Sequence, residues 1–284
     1  MTHSLPPLFF LHIPRTGGTT IDTILSRQFP KENILKIYSK EEYTNNRYLE
    51  YDFVNQLEYI TGHLLLDTYD PPTIYAHPVR VITFLREPVQ RLHSEYIFYK
   101  TWPKQHLYQY LHEHHVSFQE YLTSRETLIK YRGKNFMTRC ISGKSFSIEK
   151  KPLAALAFAK RQLEKNFFFF GLTERFTESV FLLSRQIPLQ YIVHDKHNKL
   201  STKVKAPLSD EDRAVAMELN TADSELFCFA CELFQERIAN LGSEQQAELK
   251  KFLLVNQKFQ KVSAMLRAEE GNSDGAISLP KDTQ

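Results

Sequence analysis

Between an apolar run, Leu8 to Ile13, and a helical pattern carried by Ile21, Ile24 and Leu25, the chain places Pro14-Arg15-Thr16-Gly17-Gly18-Thr19-Thr20. A strand that turns through paired glycines directly into a helix is a unit of parallel-sheet proteins, and it restricts the fold more than any other stretch. A second unit follows at Val79 to Leu85, a run with Arg80 as its only charge, leading through Arg86-Glu87 to Pro88 at a helix start. Unbroken apolar strands of this kind belong to sheets covered on both faces. Phe167 to Gly171, followed by a helix over 174–185, and Leu189 to Val193 are the third and fourth expected strands. Their alternation with helices predicts a P-loop-like, three-layer α/β domain with a mostly parallel sheet.

Further helices are expected over Val89 to Tyr99, over Phe118 to Thr123 behind the capping pair Ser117 and Glu120, and over Ile148 to Asn166. Beyond Leu208 the pattern is all helical, opening on Ser209 with Asp212 three residues on and running from Ala222 to Leu241. The domain is therefore placed at 1–241. An amphipathic helix at 242–270 carries Phe252, Val255, Phe259, Val262 and Leu266 on one stripe, which is expected to dock on its own domain, with a homodimer contact as the alternative. Residues 271–284 are polar and rich in Gly, Ser and Asp, and are expected to form a disordered tail.

Charge and cysteine content limit the partners. Thirty-six Lys and Arg against 33 Asp and Glu leave a net charge of +3, too little for a bulk polybasic field, so no nucleic-acid binding is expected and any anion site must be local. Cys140, Cys228 and Cys231 are too few for a disulfide framework. Cys228 and Cys231 form a C-x-x-C within an apolar helical run and are expected to be buried packing residues. With no apolar run long enough to span a bilayer and no secretory signal, a soluble, cytoplasmic protein is expected.

The first loop has the chemistry of a phosphate cradle. Glycines let backbone N–H groups close around an anion, the helix N-terminus adds partial positive charge, and Arg15 with Thr16, Thr19 and Thr20 supplies side-chain donors. An ATP-type loop instead needs G-x-x-x-x-G-K-[ST]. Gly143-Lys144-Ser145 imitates its end, but Thr138 stands at the first glycine position and no strand leads into it.

Leu11 to Thr20 resembles the 5′-phosphosulfate loop of sulfotransferases that use 3′-phosphoadenosine 5′-phosphosulfate (PAPS), in particular those similar to heparan sulfate 2-O- and 6-O-sulfotransferases and their bacterial relatives. Phe84-Leu85-Arg86-Glu87-Pro88-Val89-Gln90-Arg91-Leu92-His93-Ser94 is similar to the family's 3′-phosphate motif, an Arg at a strand end and a Ser eight residues later. Weaker echoes are 135–139, 170–174, and Leu219-Asn220 with 223–226. The resemblance implies PAPS as sulfonyl donor, held by Arg15, Thr16, Gly17, Gly18, Thr19 and Thr20 at one end and by Arg86 and Ser94 at the other. It implies no metal and a hydroxyl-bearing acceptor such as a glycan. The family usually carries Lys where this chain has Arg15, which keeps the charge but leaves open any proton-donating role for this residue.

In-line transfer to an alcohol also needs a proton acceptor. His63, beside Gly62 and just past a strand-like run, is the candidate, at a place in the order similar to the family's catalytic base; Glu95 is next in line. His112-Glu113-His114-His115 lacks metal-ligand spacing. His194, His197, Lys199, Lys203 and Lys205 form a basic loop, either solvated or facing an anionic ligand. An ATP-dependent kinase and a noncatalytic nucleotide or polyanion-binding module are the competing readings.

Overall fold

Every residue of β1 (Leu8–Leu11) is buried, because this strand lies at the centre of a five-stranded sheet. The others are β2 (Ile34–Ile37), β3 (Tyr59–Gly62), β4 (Arg80–Leu85) and β5 (Phe169–Leu172). All neighbouring pairs are parallel, in the order β2-β3-β1-β4-β5. The structure is a computed structural model that describes residues 5–38, 42, 56–63, 66, 79–126, 129, 134–143, 148, 150–195 and 208–273, with side chains to 269. The expected α/β class with a parallel sheet is observed.

The chain leaves β1 toward the β3 and β2 side and leaves β4 toward β5. Connections that diverge from adjacent strands open a crevice at their C-terminal ends, the usual ligand position in such sheets. The two loops singled out in the sequence both empty into it.

Helix α1 (Gly18–Ser26) follows β1, and α2 (Pro88–Thr101) follows β4. Pro88 opens α2 and the Glu87 carboxylate accepts from Val89 N and Gln90 N, a cap of the kind that contributes about 1 kcal/mol. Short helices α3 (Tyr108–Glu113) and α4 (Phe118–Thr123) come next, and the Ser117/Glu120 capping box at α4 is complete. Helix α5 (Phe136–Ser142) precedes α6 (Pro152–Arg161), which begins later than expected and closes in a π-helical turn at Gln162–Asn166. After β5 comes α7 (Phe176–Ser184), then α8 (Asp210–Glu218), capped by Ser209 as expected, and α9 (Thr221–Ala239). The last helix, α10 (Ser243–Ser273), continues past the expected 270. The rest of the anticipated tail lies outside the described residues.

One expected strand is absent. Leu189 to Val193 is irregular chain, since Tyr191 takes a left-handed conformation at φ 54° and Gln190 is pinned to the Gln28 side chain at the end of α1. The sheet instead gains β2, a four-residue edge strand paired with β3. Cys228 is exposed and Cys231 half-buried, against the expected burial. The inward face of α9 is Ala222, Leu226, Ala230 and Phe234, and position 228 points roughly opposite to it.

The 135–139 and 219–226 echoes meet in a reciprocal cap. Asp223 accepts from Met137 N, Thr138 N and the Thr138 hydroxyl, Asn135 Oδ1 accepts from Asp223 N, and Asn220 Oδ1 accepts from Asn135 N. Burial pushes the Asp223 carboxyl upward, while these donors and Arg91 favour its charge. Asp223→Ala strands two buried N–H groups and weakens the balance of a buried arginine, so a loss of about 3 kcal/mol in urea unfolding is expected. A loss under 1 kcal/mol would mean that the cap is dispensable.

Helix α10 does dock on the domain, but by another face. Leu249 and Asn256 are buried and Phe252 and Leu253 pack on the core, whereas Val255, Phe259, Val262 and Leu266 are exposed. Asn256 Oδ1 accepts from His194 N, a polar anchor on the same docked face.

Candidate functional site

The loop after β1 is shaped by two left-handed residues, Arg15 at φ 69° and Gly17 at φ 83°. Thr16 is fully buried, and its hydroxyl donates to Ile13 O at 2.8 Å while its carbonyl accepts from the Thr173 hydroxyl at 2.7 Å. The same Thr173 hydroxyl lies 2.9 Å from Leu85 O, so the 170–174 echo ties the loop to the end of β4. Gly18 begins α1 beneath His12: a Cβ there would lie 1.8 Å from His12 Nε2. Thr19 is exposed. Thr20 is buried but borders a groove of about 320 Å³ between α1 and α10, also lined by Ile24, Phe259 and Arg267.

Arg15, Arg86 and Ser94 converge from three elements. Arg15 Nε donates to Ser94 Oγ at 3.1 Å, and Arg86 Nη1 donates to Arg15 O at 3.0 Å. The Arg15 guanidinium lies 4.7 Å above the Phe98 ring. Loss of hydration, followed by repulsion from Arg86, lowers Arg15 to about 10. Arg86 is also lowered, chiefly by burial. Two partly buried cations thus lie side by side near the start of α1, with Glu95 acting on Arg15 and Glu174 and Glu87 acting on Arg86 as partial counter-charges.

His63 follows β3. Its Nδ1 lies 2.8 Å from His12 O, and because a carbonyl only accepts, Nδ1 carries the proton and Nε2 keeps a free lone pair. The ring packs at 4.5 Å from His12 and 4.8 Å from Tyr38 while remaining open to solvent on another edge. Burial among these rings lowers its pKa, against the His12 carbonyl and Glu95 that raise it. The imidazole is thus neutral at neutral pH.

Two site residues carried no role in the sequence reading. His12 is buried, stacks on Phe10 at 5.0 Å and meets the Tyr38 hydroxyl at 3.1 Å through Nδ1; burial, then His63, holds its pKa well below the usual value. The Tyr38 hydroxyl also lies 3.1 Å from Thr61 Oγ1. A histidine at the end of β1, immediately before the glycine loop, was the available signal for the first.

Glu95 is buried with both oxygens engaged, by Arg91 and by the Tyr121 hydroxyl, which leaves it poorly placed as a base. His194 is buried against Phe176 and α10; the basic residues after it, like Lys144 and Ser145, lie outside the described residues. His112 Nε2 binds Lys100 O. Among the described residues no group of three or more His, Cys, Asp or Glu is arranged to hold a metal ion, and no helix is long and apolar enough to cross a membrane.

A family model described as galactose-3-O-sulfotransferase matches residues 2–269. The chain belongs to this sulfotransferase family. Among solved structures it is similar to mouse sulfotransferase SULT7A1 complexed with PAP, at 11% identity and a TM-score of 0.38, over 94% of this chain and 89% of that one. No curated protein matches it significantly. For this galactose-3-O-sulfotransferase family member the broad resemblance to sulfotransferases holds, and the matching family is named for galactose rather than heparan sulfate.

Proposed function

We propose that this chain moves the sulfonyl group of PAPS to a hydroxyl of a carbohydrate, a galactoside foremost, with His63 as the base. The observation that carries the reading is the convergence of Arg15, Arg86 and Ser94 near the N-terminus of α1, with His63 held by His12 O at the end of the neighbouring strand. The family's printed description supports the galactose acceptor.

In this mechanism Arg86 and Ser94 grip the 3′-phosphate through charge-assisted hydrogen bonds. Arg15, Thr19 and the backbone N–H groups that open α1 neutralise charge on the departing 5′-phosphate; Gly17 and Gly18 keep that backbone accessible, and Thr16 and Thr20 hold it in shape. His63 Nε2 takes the acceptor's proton as the oxygen–sulfur bond forms and the sulfur–phosphate oxygen bond breaks, leaving adenosine 3′,5′-bisphosphate. A kinase reading lacks the lysine that would hold outer phosphates, and a binding module has no need of a histidine fixed in its base tautomer.

Cofactor choice tests the phosphate assignments. Adenosine 3′,5′-bisphosphate at about 100 times its dissociation constant is expected to raise the melting temperature by roughly 5 °C or more, clearly beyond ADP at the same concentration. Arg86→Ala should abolish that difference. Equal shifts for the two nucleotides in the native protein would remove the 3′-phosphate site.

A further inference from the structure

The inner end of α2 holds Ser94 against Arg15, and the same helix face continues outward through aromatic rings. Phe98 sits under the Arg15 guanidinium, and one turn later its ring meets Trp102 at 5.8 Å. Phe98 also meets Tyr99 at 5.7 Å, and Tyr99 meets His106 at 5.5 Å. Trp102 is the only tryptophan of the chain, caps the C-terminus of α2, and leaves 51% of its surface in water. An isolated exposed hydrophobe needs no explanation. An indole at the open end of a ring ladder whose closed end is the cation of the reacting centre is a different case.

We propose that Trp102, backed by Phe98, is the platform on which the acceptor sugar stacks. This inference rests on the sulfotransferase reading above and adds a subsite to it. The C–H groups on one face of a pyranose carry slight positive charge and the face of an indole is negative, so the two stack flat and exclude water between them. The Trp102 and Phe98 rings themselves carry no charge, which suits an uncharged sugar ring better than the phosphates of the donor. It also starts at Arg15, the sulfonyl end of the bound donor, so a ring lying on it presents its hydroxyls toward the centre where transfer occurs. Trp102 shapes acceptor binding and takes no part in proton transfer.

The single tryptophan makes a direct test available. First, the native protein with PAPS is offered lactose, maltose, cellobiose and chitobiose, together with a simple phenol and a steroid alcohol. The sugar that gains a sulfonate mass is then titrated into protein saturated with adenosine 3′,5′-bisphosphate while tryptophan emission is recorded. A saturable blue shift is expected, with half-saturation near the KM of that sugar. Trp102→Ala should raise that KM about tenfold with kcat within about threefold. Trp102→Phe should recover most of the loss. In both variants the thermal shift from adenosine 3′,5′-bisphosphate should be intact, which also reports folding. Emission that responds to the nucleotide alone, an unchanged KM in Trp102→Ala, or transfer only to the phenol or steroid would each overturn the subsite while leaving sulfonyl transfer standing. No transfer to any acceptor would instead overturn the underlying reading and the subsite with it.

Discussion

His63→Ala is expected to lose at least about 10²-fold in kcat/KM for sulfonyl transfer while keeping its thermal response to adenosine 3′,5′-bisphosphate, the scale at which a positioned base contributes. The expectation follows from one contact: His12 O fixes the proton on Nδ1 and so exposes the lone pair of Nε2. Its pH dependence carries a sign. Burial lowers the His63 pKa, so the base stays neutral, and kcat/KM stays level, to a pH below the ordinary histidine value of ~6.5 before falling on the acid side. The titratable groups packed against it are His12 and Tyr38, and Glu95 acts on it electrostatically. Near-native turnover in the alanine variant would place the base elsewhere, and a lost response to the nucleotide would make His63 a structural residue.

Arg15→Ala should be costlier in the same assay, by about 10²–10³-fold, the loss seen when a donor to a developing anion is removed. Arg15→Lys should fall no more than about tenfold, since charge survives although the Nε bond to Ser94 and the planar cover over Phe98 do not. The left-handed backbone of residue 15 is the same problem for alanine, lysine and arginine alike, so the comparison isolates the side chain. An alanine variant as active as the native protein would take Arg15 out of the mechanism, whatever its closeness to Arg86.

The parts of this site that were legible in the sequence are those encoded locally. Gly17 and Gly18 between an apolar run and a helical pattern, Pro88 after Glu87, and the Ser117/Glu120 and Ser209/Asp212 caps each depend on residues within a few positions, and each is found where expected. The family resemblance assigned Arg15 and Ser94 to opposite ends of the donor, and their direct contact was not foreseen. What escaped depends on tertiary contact. Ile34–Ile37 is too short to announce itself and becomes a strand only by pairing with β3. Leu189 to Val193 has strand-like residues, but Gln28 and a left-handed Tyr191 hold it away from the sheet. The apolar stripe of α10 is real, yet the contact is made by Leu249, Phe252, Leu253 and the buried amide of Asn256, which leaves the rest of the stripe outside. His12 and Tyr38 acquire meaning only when β1, β2 and β3 lie side by side.

The central place of β1 has a consequence for how the protein is made. It leaves the ribosome before β3 and β4, the two strands that close its edges. Until those emerge both rows of its backbone groups are open, and an apolar strand in that state is a template for pairing with other chains. The loop it carries waits longer still, because the hydroxyl that ties it down belongs to Thr173, beyond β5. The loop's final shape therefore cannot arise progressively along the nascent chain. It arrives only once residue 173 has emerged, and the interval before it is when the growing chain most needs shielding by a chaperone.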